Sequence, residues 1–273
     1  MQHRKIAFIG AGNMTRSIIS GLVKNSYPAD FITASNPSIN KLSALEADFT
    51  INVTQDNKEA VDAADVIVLA VKPQLMEQVC AKLAQEQSLT GKLFVSIAAG
   101  ITTMRLQQML GGSFPIIRTM PNTPSKLGKG MTGLFADIHI DKNDKQYAAD
   151  LMSQVGEIAW VEKELMIDGV IAAAGSSPAY FYLFLEAMQK EAEQQGFDHA
   201  TSRLMVQQAM LGAAEMVCHN PDLEISELRT QVTSKGGTTA KAIESFQQQG
   251  LDQVVATAMQ AAVKRAEQMS KEF

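Results

Sequence analysis

Two glycine turns, far apart in a chain of 273 residues, carry the groups that can do chemistry. The later one, Ser234-Lys235-Gly236-Gly237-Thr238-Thr239, opens a segment whose apolar residues Ala240, Ala242, Ile243 and Phe246 read as one helix face. Paired glycines among hydroxyl residues at a helix start expose backbone N–H groups, which makes a socket for a small anion such as a carboxylate. The earlier turn, Ile9-Gly10-Ala11-Gly12-Asn13-Met14, follows a strand-like run and precedes a helical one, the setting that a dinucleotide-binding turn requires. Gly10 can make the tight turn, and Gly12 can let a pyrophosphate approach the helix N-terminus, where N–H groups and the dipole favour negative charge. One chain with both sockets suggests a nicotinamide-dependent reductase of a small carboxylic acid.

Other turns fit around the first. The third fingerprint position is Thr15 in place of Gly or Ala, which predicts a looser helix–strand contact there. NAD sites place an acid ~20 residues on, where it would repel a 2′-phosphate. Here the run is Ala34-Ser35-Asn36-Pro37-Ser38 with Lys41 nearby, hydroxyl, amide and cationic groups suited to NADP(H) or, alternatively, a plain turn; NADH stays possible. Ala70-Val71-Lys72-Pro73 and Ala98-Ala99-Gly100 end two further strands, and their small residues leave room for a cofactor. Arg118-Thr119-Met120-Pro121-Asn122-Thr123-Pro124 is a proline-stiffened loop able to wall a nicotinamide pocket at Met120. Asn57 can cap the helix beginning at Lys58 or reach the cofactor, and helix physics favours the cap. Glu164 and Asp168 read as solvated helix-start acids, with substrate contact as the alternative.

The elements that hold these turns are of two kinds. Up to about residue 162, short apolar runs alternate with helical patterns. Ile6–Ile9, Phe31–Ala34, Ile51–Val53, Val66–Ala70, Leu93–Ile97 and Ile116–Thr119 read as strands, with helices over Ile18–Asn25, Leu75–Gln85 and Thr102–Leu110. Continuous hydrophobicity implies strands covered on both faces, hence a Rossmann-type, mostly parallel sheet between helix layers. Met131–Ala136 and Ile158–Val161 are expected to add edge strands. From residue 163 to 273 no strand is expected. Ser176-Ser177-Pro178 starts a helix by serine cap and first-turn proline, and Gly196 stops it. Helices follow over Asp198–Cys218 and Ser226–Gln231, with two more after the glycine pair. Ala209, Gly212, Ala213 and Ala214 permit close helix contacts. The division is therefore into a dinucleotide-binding domain, 1–162, and an all-α domain, 163–273, for substrate and dimerisation.

Composition narrows the classes. A net charge of −5 and the lack of a long basic run give no electrostatic support for a nucleic-acid or anionic-membrane partner. Cys80 and Cys218 stand apart and read as buried small hydrophobes in a reducing compartment. The histidines His3, His139, His199 and His219 lack ligand spacing, so no metal site is expected. No apolar run approaches the ~20 residues that span a bilayer, and the N-terminus runs straight into a strand; a cytoplasmic location is the expectation. Most of the 15 methionines fall at apolar helical positions, as core or subunit interface.

Six segments then stand in a telling order: Phe8-Ile9-Gly10-Ala11-Gly12-Asn13-Met14, Ala70-Val71-Lys72-Pro73, Ser96-Ile97-Ala98-Ala99-Gly100, Arg118 to Pro124, Gly175-Ser176-Ser177-Pro178-Ala179-Tyr180, and Val232-Thr233-Ser234-Lys235-Gly236-Gly237-Thr238-Thr239. Together, and over almost the whole chain, they resemble pyrroline-5-carboxylate reductase, the last enzyme of proline synthesis. The family's usual proline in the last segment is Lys235 here. The resemblance implies a helical C-terminal domain that forms a homodimer, often assembled into a pentamer of dimers. It implies Ser35 and Asn36 near the adenine ribose and its phosphate, with Asn57 and the turns Ala70–Pro73 and Ala98–Gly100 at an NADPH cofactor. It assigns Ser234, Gly236, Gly237, Thr238 and Thr239 to an imino-acid substrate, the Thr239 hydroxyl facing the ring nitrogen in the catalytic role. A β-hydroxyacid dehydrogenase or other imine reductase is the nearest enzyme alternative; the hydroxyacid enzymes resemble one another in a lysine base, whereas Pro178–Glu186 has none before Lys190. A non-catalytic NADP(H) sensor is the other, and would need no second socket.

Overall fold

The structure is a computed structural model that describes residues 3–86 and 89–272. Eight strands form one sheet in the order β3-β2-β1-β4-β5-β6-β7-β8. They are β1 (Ile6–Ile9), β2 (Ile32–Ser35), β3 (Asn52–Thr54), β4 (Val66–Leu69), β5 (Leu93–Ser96), β6 (Ile116–Met120), β7 (Gly130–Ala136) and β8 (Gly156–Trp160). The first six are parallel, with Phe8 level with Ala34 on one side and Val68 on the other. Between them run α1 (Asn13–Lys24), α2 (Ile39–Phe49), α3 (Asn57–Asp62), α4 (Pro73–Glu86) and α5 (Thr103–Leu110). Only a short 3₁₀ turn, Thr123–Leu127, separates β6 from β7. That is too little chain for a crossover, and the two pair antiparallel. A crossover through α6 (Lys142–Ser153) makes β8 parallel to β7, so these two strands run against the first six. Of the two strands expected at the edge, β8 is there and β7 is not: it is paired on both sides.

Both faces of the sheet are covered, as the unbroken apolar runs require. Ile6, Phe8, Val66, Val68, Leu93 and Val95 face α1, α2 and α6 through Ile18, Leu22, Leu42 and Leu151. Their neighbours Ala7, Ile9, Ile67, Leu69 and Phe94 face α3, α4 and α5 through Val61, Met76, Cys80 and Leu106. Thr15 is fully buried and its hydroxyl donates to the Gly10 carbonyl at 2.8 Å, so the contact expected to be loose is filled by a hydrogen bond.

The chain divides into two compact units, Met1–Ser176 with Ala261–Phe273, and Ser177–Gln260. The change from strand to helix falls earlier, after Trp160. The first unit includes α7 (Met166–Val170), a π-helical turn Ile171–Gly175, and the end of α12 (Leu251–Glu272). Ser176 keeps right-handed helical angles (φ −93°, ψ −21°), so the chain enters α8 (Ser177–Gln194) without the extended cap residue that the serines suggested.

The second unit contains α8, α9 (His199–His219), α10 (Ile225–Gln231), α11 (Thr238–Gln248) and the start of α12. Asp198 caps α9 by accepting from Thr201 N. Val206 is the one buried apolar side chain among its described residues, while Phe181, Leu183, Leu211 and Val254 are exposed. Full burial of such a side chain stabilises by roughly 1.5–3 kcal/mol. The first unit thus holds its own core, whereas the second leaves its apolar faces unsatisfied. Cys80 is buried as expected; Cys218, on α9, is exposed. Among the described residues, no helix is long and apolar enough to cross a membrane, and no group of three His, Cys, Asp or Glu is placed to hold a metal.

Candidate active site

In the strand order, the chain moves outward from β1 through β2 to β3 and then crosses back to β4 on the other side of β1, leaving a crevice at the carboxyl ends of β1 and β4. The first glycine turn lies there. Gly10 has φ +112°, and a Cβ on it would stand 2.6 Å from the Ala70 carbonyl oxygen, so a side chain is excluded both by conformation and by space. Its N–H donates to Ser35 O at 2.8 Å, and Ala70 N donates to Ile9 O at 2.9 Å. Gly12 is the opposite case: it is exposed, has an ordinary φ of −85°, and nothing lies within 4 Å of where its Cβ would be. It precedes α1 with no side-chain cap, so first-turn N–H groups are left for a ligand. A cavity of about 500 Å³ adjoins it, lined among others by Asn13, Arg16, Asn40, Lys41 and Lys72. Open backbone at a helix N-terminus beside three cationic side chains suits the phosphates of a dinucleotide.

At the end of β2, Ser35 is fully buried and its hydroxyl donates to Asn57 Oδ1 at 2.7 Å. Asn36 Oδ1 accepts from Ala11 N at 3.3 Å, tying β2 to the glycine turn. The cap of α3 is Asp56, which accepts from Lys58 N at 2.9 Å, and Asn57 is not the cap. Asp56 is still extended (φ −102°, ψ 111°), while Asn57 is already the first helical residue, which frees its side chain to reach Ser35.

The turns beyond β4, β5 and β6 are small-residue or half-buried, as expected. Ala98 and Gly100 are buried, and Ala70, Val71, Pro73, Ala99 and Met120 are half-buried. Met14, in the first turn of α1, is half-buried too. Met120 Cε lies 3.4 Å from the place of a Cβ on Gly175, in the π-helical turn. Asn122 holds this corner together: its Nδ2 donates to Ala174 O at 3.0 Å and its Oδ1 accepts from Met131 N at 2.9 Å.

Asp168 is buried and Glu164 half-buried, so neither is the freely solvated acid that was expected. Arg118, on β6 with its side chain 3% exposed, pairs with Glu164 at 3.4 Å and Asp168 at 3.5 Å. Glu164 also accepts from Thr103 N at 2.7 Å and Thr103 Oγ1 at 3.0 Å. Burial pushes the Asp168 carboxyl above the usual aspartate range, against the pull of Arg118, and Glu267 on α12 pushes the same way. The sequence carried a signal for this cluster: an arginine within Ile116-Ile117-Arg118-Thr119, a strand covered on both faces, must find carboxylates.

The second socket is in the other unit. After α10 the chain turns through Gly236, at φ +76°, to Gly237, the N-cap residue of α11. Gly237 N donates to Ser234 O at 3.0 Å, closing the turn. No side chain caps α11, so the N–H groups of its first turn, from Thr238 onward, have no partner within the helix. Ser234, Lys235, Thr238 and Thr239 are exposed in the single chain. Hydroxyls and N–H groups thus stand at the positive end of a helix dipole, as a carboxylate socket requires.

Two known families match the chain. Residues 164–269 match the family described as pyrroline-5-carboxylate reductase dimerisation, and residues 5–100 the family described as NADP oxidoreductase, coenzyme F420-dependent. A pyrroline-5-carboxylate reductase of Vibrio alginolyticus is 59% identical over 273 residues, with 100% of each chain covered. The solved structure of a pyrroline-5-carboxylate reductase from Coxiella burnetii is 41% identical, with a TM-score of 0.93 over 98% of this chain and 99% of that one. A Plasmodium falciparum pyrroline carboxylate reductase solved with NADP bound is 29% identical, with a TM-score of 0.87 over 99% of each chain. From end to end, this chain belongs to the pyrroline-5-carboxylate reductase family.

Proposed function

We propose that the protein reduces L-1-pyrroline-5-carboxylate to L-proline with NADPH. The single observation that carries this is 59% identity to a pyrroline-5-carboxylate reductase across the whole chain. Bound NADPH supplies a hydride, and the residues fit it: open backbone at Gly12, and Arg16, Lys41 and Lys72 at the adjoining cavity. Ile9 to Met14 would cradle the pyrophosphate, Ser35, Asn36 and Asn57 the adenine ribose end. Ala70, Val71, Lys72 and Pro73, with Ala98, Ala99, Gly100 and Met120, would line the rest of the cofactor path.

The substrate is a cyclic imine, which accepts hydride readily once protonated, so the protein has mainly to bind, orient and exclude water. Ser234, Gly236, Gly237 and Thr238 would hold the carboxylate on N–H groups and hydroxyls. The Thr239 hydroxyl would bond the ring nitrogen as it changes from iminium to amine. Hydride adds to the imine carbon, the proton already on nitrogen stays, and the product is the ring amine. The exposed apolar helix faces support a homodimer through the C-terminal helices, and we extend this to a pentamer of dimers in the cytoplasm.

The test is NADPH oxidation with pyrroline-5-carboxylate, run beside NADH and beside a hydroxyacid with NADP⁺. Loss of a single donor that acts in the transition state lowers turnover by about a hundredfold. Thr239→Ala is therefore expected to lower kcat on that scale with little change in NADPH affinity. Full turnover in the variant would remove Thr239 from the chemistry. Hydroxyacid-dependent reduction of NADP⁺ would instead favour a dehydrogenase, and NADPH binding with no imine reduced would favour a sensor.

A further inference from the structure

Glu164 and Arg118 join two of the turns assigned above to the cofactor. The Ala98-Ala99-Gly100 turn leaves β5, where Ala98 N donates to Ser96 Oγ at 3.3 Å, and ends at Thr102, the cap of α5. One residue on, both carboxylate oxygens of Glu164 are committed to Thr103, one to its N–H and one to its hydroxyl. The same carboxylate faces Arg118, two residues before Met120 on β6. Gly100, at φ +76°, has no slack on its other side: a Cβ there would stand 2.8 Å from Met269 Cβ on α12. The turn is therefore fixed at its strand end by β5 and at its helix end by buried Ile101, the Thr102 cap and the Glu164 carboxylate.

We infer that Glu164 is a positioning residue for the cofactor, holding the Ala98–Gly100 turn through Thr103 and registering it against Met120 through Arg118. This rests on the reading that these turns bind NADP(H). A carboxylate on a backbone N–H and a hydroxyl makes charge-assisted hydrogen bonds, the stronger kind. Its loss loosens the turn, and none of these hydrogen bonds is made to the Ser234–Thr239 segment. The effect belongs in cofactor affinity and not in substrate affinity.

The experiment measures KM for NADPH and for pyrroline-5-carboxylate, kcat, and Tm in the wild-type enzyme, Glu164→Gln and Thr103→Val. Glu164→Gln is expected to raise the NADPH KM about tenfold, the scale of one charged hydrogen bond, with the imino-acid KM unchanged. Thr103→Val keeps the N–H contact and loses the hydroxyl one, and is expected to raise the NADPH KM about threefold in the same pattern. Because both act through one link, the double variant should cost less than the product of the two. An unchanged NADPH KM in a folded Glu164→Gln overturns the inference, as does an equal rise in both KM values. Should Glu164→Gln not fold, Thr103→Val decides by the same criterion. Failure of the wild type itself to oxidise NADPH would instead count against the proposed function.

Discussion

Gly10 and Gly12 lack the same atoms for opposite reasons, and the difference can be measured. Gly10→Ala places a Cβ 2.6 Å from a backbone oxygen at φ +112°. Strain of that kind costs on the order of 1–3 kcal/mol before the collision is counted, so the variant should lose at least about 2 kcal/mol in denaturant unfolding. Gly12→Ala meets nothing within 4 Å at an ordinary φ, and its stability should stay within about 0.5 kcal/mol. NADPH titration should nevertheless weaken for Gly12→Ala, because the methyl occupies the phosphate's approach. Equal stability loss in the two variants would contradict this assignment. The tight turn at Gly10 was legible in the sequence because it follows from position after a strand and before a helix. Asn57 was misread, because the choice between Asp56 and Asn57 as cap depends on which of two adjacent residues enters the helix first. Glu164 and Asp168 were misread because the partner that buries them, Arg118, is 46 residues from Glu164 in the chain.

At the scale of elements, the apolar runs gave the strands nearly to the residue, since parallel strands buried on both faces leave little room for another pattern. The place of β7 was not legible: a run of small and apolar residues suits an interior strand as well as an edge one. The helical stretch before Ser177 was missed because Ser-Ser-Pro is also a good start signal. Its neighbour, the junction of β6, α7 and α12, carries a pH prediction. Asp168 there faces Arg118, Glu164 and Glu267, and its carboxyl is held above the usual range chiefly by burial. The folded chain then binds the proton more tightly than the unfolded one. The stability this adds is present below the ordinary aspartate pKa and is lost as pH rises through the raised value. Asp168→Asn does not ionise, so its Tm relative to wild type should rise as pH increases from the ordinary aspartate pKa through the raised one. A difference that is flat or falling across that range would mean that Arg118 outweighs burial.

At the scale of the molecule, the unit of residues 177–260 exposes Phe181, Leu183, Leu211 and Val254 and buries a single apolar side chain among its described residues. Apolar surface of this extent marks an interface, and residues 164–269 match a dimerisation family. Light scattering should therefore give a mass of at least two chains at assay concentrations, and a mass equal to one chain would contradict it. The all-α character of this region and its part in dimerisation were legible, since apolar helices in so small a domain need a partner; which stripes face that partner was not, because a stripe that faces a partner has the same spacing as one that faces a core. The central claim is that hydride passes from NADPH to the imine carbon of pyrroline-5-carboxylate. It is tested most directly with NADPH deuterated at the hydride-donating carbon, followed by mass analysis of the product. The account predicts L-proline with one deuterium on the ring carbon beside nitrogen that does not bear the carboxylate, formed in step with NADPH oxidation. Unlabelled proline, or NADPH that stays reduced in the presence of the imino acid, would contradict it.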